Sequence, residues 1–178
     1  MERTKFTPQL AAISALMIAL TTVFTLVVRV PVPASGGYIN LSDVAITFAA
    51  LTFGPVVGFL AGGIGAGLAD IIGGYAQWAP LTLIAHGVEG LLIGYIGYNR
   101  GWMHIAIGWL VGGLFMVLAY FVGEVTVMGI GWSGALTELP GNLIQMFVGG
   151  LVGIPLMMAV RKAYPPIVHL ASGTSWHE

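Results

Sequence analysis

The sequence predicts an all-α integral membrane protein, a bundle of six transmembrane helices with both termini cytoplasmic. Three observations carry that prediction. Of the 178 residues 57% are hydrophobic and only 7% charged, against roughly 25% charged in an ordinary soluble domain, and the mean hydropathy is +0.94. Between Lys5 and Arg29 run 23 uncharged residues, which as a helix rising roughly 1.5 Å per residue cover the roughly 30 Å hydrocarbon core. Clusters of Gly and Pro divide the remainder into further helix-sized apolar segments.

Helix 1 is expected over about Thr7 to Val28. It reads as a span and not a cleaved signal peptide, because the apolar run exceeds the usual signal length and no small-x-small site precedes a soluble domain. A loop, Val30 to Leu41, follows, since Pro31, Pro33 and Gly36-Gly37 forbid a continuing helix. Ser42 or Asp43 can cap a short helix 2 to Phe53, and Gly54-Pro55 opens helix 3, which reaches Gly73-Gly74. Pro80 opens helix 4, closed near Tyr98 by Asn99-Arg100-Gly101. Helix 5 is expected over Trp102 to Glu124. A Gly-rich connection, Val125 to Thr137, precedes helix 6, Glu138 to Lys162, with Pro140 in its first turn. One domain is expected over 1–164, with a peripheral tail over 165–178.

Six spans place Arg3, Lys5, Arg100, Arg161 and Lys162 on one side, which the positive-inside rule makes cytoplasmic. Arg29 alone falls on the other side. The opposite ends of the helices then carry Asp43, Asp70, Glu124, Glu138, Asn142 and Gln145, with His86 and Glu89 about two turns into helix 4. The outer loops add Tyr38, Asn40, Tyr75, Gln77, Trp78 and Trp132. Charged side chains deep in a helix cost roughly 2.5 to 3.5 kcal/mol each on insertion scales. A polar, aromatic-lined cavity open to the outside accounts for them, while capping, for Asp43 and Asp70, and an aromatic belt at the headgroups, for the rings, are the alternatives.

His86 and Glu89 are three apart and share a helical face, so they can meet each other or one ligand. Zinc is not expected, because a catalytic site takes three protein ligands and no second histidine lies at that depth. His104 sits near the cytoplasmic end, and His169 and His177 lie in the tail. The absence of cysteine excludes disulfides and thiol chemistry. Small residues recur every four positions at Ala11, Ala15 and Ala19, at Gly58 and Gly62, and at Gly63 and Gly67. Such stripes let helices approach closely. The Gly-rich run from Gly62 to Gly74 lacks the lysine of a phosphate-binding loop, and no serine-hydrolase or zincin motif is present.

The stretch from Gly36 to Tyr98 resembles the substrate-binding S component of energy-coupling factor (ECF) vitamin transporters. Leu-Ser-Asp at 41–43, Phe53-Gly54-Pro55, Gly-Ala-Gly-Leu-Ala-Asp at 65–70 and Gln77-Trp78-Ala79-Pro80 carry the likeness. The resemblance implies a six-helix subunit of a prokaryotic plasma membrane that binds a vitamin or precursor on its outer side. It implies association with a membrane T component and two cytoplasmic ATPase subunits, and toppling to release substrate inside. ATP is then used by the partners, and this chain has no catalytic residues and binds no cofactor, metal or nucleic acid. The helix 1 stripe, Ala11, Ala15 and Ala19, is implied as the contact with the T component.

Within the family the pattern is nearest to members for pyrimidine or pyridine heterocycles such as hydroxymethylpyrimidine or pyridoxine. The alternatives are a riboflavin- or thiamine-specific S component or a small proton-coupled secondary transporter, the latter without the inverted repeat such transporters show. An intramembrane enzyme would lack a nucleophile or metal set. Relatives often carry lysine where this chain has His86, and the two recognise different groups. Substrate contact is expected from Asn40, Asp70, Tyr75, Gln77, Trp78, His86, Glu89, Glu124, Trp132, Asn142 and Gln145.

Overall fold

The computed structural model describes residues 7–170. Arg3, Lys5 and His177 lie outside them. Six helices follow in order: α1 (Pro8–Val27), α2 (Ser42–Phe53), α3 (Pro55–Gly73), α4 (Ala79–Gly97), α5 (Trp102–Thr126) and α6 (Gly131–Ala163). All but α2 are long and apolar enough to cross a membrane. The expected irregular loop between α1 and α2 is instead an antiparallel ribbon, β1 (Arg29–Val32) against β2 (Gly37–Asn40), with Arg29 opposite Asn40 and Val32 opposite Gly37. Pro31 and Pro33 bar a helix but not an isolated ribbon, which has no neighbouring strand needing their N–H groups.

Every residue of α2 is buried, so this short apolar helix is the axis of the bundle and leads the chain from the ribbon, at Asn40, to the end where Arg161 meets Leu51. Gly54, at φ +96°, turns the chain from α2 into α3, a conformation open to glycine alone at little cost. The glycines of α3 then act by close approach. A Cβ on Gly58 would stand 2.5 Å from the Gly90 carbonyl of α4, and one on Gly62 would collide with the His86 carbonyl. The stripe thereby fixes the height of His86 on α4. A stripe not singled out in the sequence, Gly149 and Gly153, does the same for α6 on α2, at Asp43 and Val44.

Leu60–Ala66 within α3 is π-helical, a form confined to short stretches and frequent at functional sites. A backbone group left unpaired in lipid costs several kcal/mol. Here the Thr22 hydroxyl of α1 donates to the Gly65 carbonyl at 2.8 Å.

The last helix begins seven residues before the expected Glu138, so Pro140 lies inside it along with Pro155. Each proline removes one ladder donor, yet the turns before Pro140 stay helical because Gly134 and Ala135 bury against the ribbon side of the bundle. At the opposite end Arg161 donates to the Leu51 carbonyl and to Asn99. The α4–α5 turn with Arg100 and the end of α6 with Lys162 therefore share one end of the molecule, and the ribbon marks the other.

Candidate functional site

Beneath the ribbon lies a narrow cavity with about 20 Å³ of free volume, room for one or two waters. Its roof is β2 with Gly37, Tyr38 and Asn40, and α3 contributes Ala66 and Asp70. One wall is aromatic and comes from Trp78, His86 and Tyr120, and the facing wall from Glu138, Asn142 and Gln145 of α6. Thr25 of α1 and Thr82 of α4 complete the lining.

The floor is a hydrogen-bonded chain that crosses three helices. His86 Nδ1 lies 2.8 Å from Glu89 Oε2 and 3.5 Å from Asp43 Oδ1. Gln145 Nε2 donates to the same Asp43 oxygen at 3.0 Å, and Gln145 Oε1 accepts from the Asn40 N–H at 2.8 Å. Asn40 Oδ1 in turn accepts from the Ser42 N–H at 2.7 Å. The N-cap position of α2 is Leu41, without a side-chain cap, so neither Ser42 nor Asp43 caps the helix; Asn40 satisfies its first N–H instead, and Asp43 is freed to face His86. Asp43, His86 and Glu89 are each 1% exposed. One imidazole balances at most one of these two carboxylates.

Asp43, His86 and Glu89 offer donor atoms within 4.8 Å of one another, and Asp43 is a third donor that the spacing in sequence did not reveal. The 2.8 Å separation of His86 and Glu89 is that of a hydrogen bond. Two donors on one tetrahedral zinc stand about 3.3 Å apart at its usual bond lengths, so the set as it stands is a proton-bridged cluster.

The ribbon is fastened at two points, Tyr38 OH donating to Asp70 Oδ1 at 2.6 Å and Ser35 Oγ to Glu138 Oε1. Burial, reinforced by the bond to Asp70 and that residue's charge, pushes the Tyr38 phenol above its ordinary pKa, so it remains a donor at neutral pH. The Tyr38 ring lies against Tyr75 with centroids 4.6 Å apart and beneath the Arg29 guanidinium at 5.8 Å. Below it, Tyr120 contacts His86 at 5.5 Å and Trp78 at 6.3 Å, and its hydroxyl pairs with that of Thr82 at 2.8 Å.

Of the residues expected at the site, Asn40, Asp70, Trp78, His86, Asn142 and Gln145 line the cavity. Glu89 stands behind His86, and Tyr75 behind Tyr38. Gln77 is exposed. Trp132, 66% exposed, packs edge-on against Phe121 at 5.4 Å and lies outside the cavity lining. Glu124 is fully buried beside Glu138 and outside the lining, and among the described residues neither of its carboxylate oxygens makes a geometrically sound hydrogen bond. The lining residues missing from that expectation are Thr25, Gly37, Tyr38, Ala66, Thr82, Tyr120 and Glu138. Tyr38 and Glu138 were visible as outer polar groups. Tyr120 and the two threonines carry no signal in an apolar helix. On α1, Ala15 and Ala19 are exposed and Ala11 half-buried.

Five helices long and apolar enough to cross a membrane, packed around a buried short one among the described residues, with a polar cavity under a ribbon, define a multi-pass membrane protein built to hold a small ligand. The family model described as the ECF-type riboflavin transporter S component matches residues 5–162, and the chain belongs to that family, the substrate-binding components of ECF transporters rather than enzymes. It is 39% identical over 150 residues to an uncharacterized protein of Pyrococcus woesei, covering 83% of this chain and 98% of that one. It is 35% identical over 149 residues to the thiamine precursor transporter HmpT of Lactococcus lactis subsp. cremoris, covering 83% and 85%. The fold is that of the solved S component of a bacterial ECF transporter (TM-score 0.64, 18% identity, 87% and 96% covered). It is also that of FolT bound with folic acid (TM-score 0.67, 13% identity, 89% and 95% covered). The chain is thus a plasma-membrane transport component.

Proposed function

We propose that this chain captures a small flat heterocycle of the thiamine-precursor kind, hydroxymethylpyrimidine or the similarly sized pyridoxine, at its outer face for ATP-driven uptake. The observation that carries this reading is the cavity: an aromatic wall for stacking beside acceptors and amides that read ring nitrogens and hydroxyls. The closed cavity has room for only one or two waters, so the ribbon must lift to admit even a single ring. The 35% identity to a thiamine precursor transporter supports the same substrate class.

Termini in the cytoplasm, a T component docked on the Ala11, Ala15 and Ala19 face, and two ATPase subunits below complete the proposal. ATP and its hydrolysis belong to those partners. The exposure of Ala15 and Ala19 supports that docking face. Vesicles holding the chain with an ECF T component and ATPases test it. Uptake of labelled hydroxymethylpyrimidine should require ATP and the partners, whereas uptake by the chain alone that collapses with an uncoupler would replace this reading with proton coupling.

A further inference from the structure

We propose that Asp70 selects the substrate's charge and edge: its carboxylate pairs at two points with an amidine edge, a protonated ring nitrogen beside an exocyclic amino group, so that the bound species is a monocyclic cation. The inference rests on the preceding reading of the site and names the chemistry that site distinguishes.

Asp70 is 4% exposed and lines the cavity. Its Oδ1 accepts from Tyr38, which fixes the plane of the carboxylate from the ribbon side. Among the described residues its Oδ2 is buried and makes no hydrogen bond, the neighbouring Thr82 hydroxyl being paired with Tyr120, and a buried acceptor left unpaired costs roughly 1 to 3 kcal/mol, more when charged. A ligand donor in the cavity removes that cost. Oδ1 has a second lone pair, so the two oxygens together present the bidentate acceptor that a planar pair of N–H donors fits, as in arginine–carboxylate pairing.

The surroundings fix the sign. No lysine or arginine is among the cavity-lining residues, whereas Asp70 and Glu138 are, and the Asp43–His86–Glu89 floor holds two acids to one imidazole. Arg29 is turned away at the mouth, its guanidinium over Tyr38 and donating to the Gly73 carbonyl. A phosphorylated or carboxylate-bearing ligand would meet uncompensated repulsion in this pocket, and a ring carbonyl opposite Asp70 would set two acceptors against each other. An aminopyrimidinium offers a ring N–H and an amino N–H side by side, with the ring packed among Trp78, His86 and Tyr120.

The test compares hydroxymethylpyrimidine with its 4-oxo counterpart by titration calorimetry on the purified wild-type chain and on Asp70→Asn. Two charge-assisted bonds predict that wild type prefers the amino compound by about 100-fold or more. Asp70→Asn, whose amide supplies one donor and one acceptor, should lose about 30-fold or more for the amino compound and narrow or reverse the preference. Wild-type affinities equal for both compounds would overturn the assignment even if the variant does not fold, and so would an Asp70→Asn protein that keeps the full preference. Wild type that binds neither pyrimidine but binds pyridoxine would overturn this inference and leave the preceding reading standing, whereas binding of riboflavin or thiamine alone would remove both.

Discussion

Glu89 stands below the cavity and acts through His86, holding the imidazole at 2.8 Å from Nδ1. Replacing it by Gln keeps the size but weakens a charge-assisted bond of roughly 1.5 to 3 kcal/mol. Glu89→Gln is therefore expected to weaken substrate binding about tenfold or more by calorimetry, and binding equal to the parent's would remove Glu89 from the account. This pair was legible because three-residue spacing on one helix fixes a shared face. Asp43 was legible only as a buried acid, since its approach to His86 and Gln145 depends on α2 lying between α4 and α6. Trp132 and Gln77 lie outside the cavity lining for the converse reason. Proximity in sequence to the outer loops does not say which side of the helix end a ring or amide faces, and Trp132 turns outward to Phe121.

At the level of elements, the glycine stripe of α3 and the ribbon each set one dimension of the cavity. A methyl on Gly62 would run into the His86 carbonyl, and overpacking of this kind costs about 1 to 3 kcal/mol. Gly62→Ala should lower thermal stability in detergent by about that much and weaken binding together with it, while an unshifted unfolding curve would mean that α3 and α4 are not held this close. On the ribbon, a Cβ at Gly37 would stand 2.5 Å from Glu138 Oε1 and 3.0 Å from Trp78. Gly37→Val should keep the lid from seating and speed ligand release about tenfold or more in stopped-flow; an unchanged off-rate would show that the ribbon does not retain ligand. Most helices were readable because Gly and Pro punctuate them. The ribbon, the π-helical turn and the early start of α6 were not, because each depends on a partner: strand on strand, Thr22 on Gly65, and Gly134 on the chain near Ala34.

For the whole molecule, α1 is the least covered of the long apolar helices among the described residues, with 28% of an 18-residue stretch buried. Ala15 and Ala19 lie on its open side. Ala15→Trp should abolish co-purification with an ECF T component while leaving substrate affinity within about twofold, and a complex that survives would move the docking face elsewhere. The lack of cysteine allows the orientation to be read from single additions. Cysteine at Gly101 should react with an impermeant reagent from the cytoplasmic side only, and cysteine at Gly36 from the outside only.

The central claim is that the cavity beneath the ribbon binds a single-ring vitamin precursor, and Trp78 in its wall makes the binding directly visible. The most direct measurement is tryptophan fluorescence of the purified chain titrated with hydroxymethylpyrimidine, pyridoxine, thiamine and riboflavin, alongside Trp78→Phe. The account predicts submicromolar binding of hydroxymethylpyrimidine or pyridoxine, with a signal that disappears in Trp78→Phe. Tight binding of riboflavin with both single-ring compounds silent would contradict it.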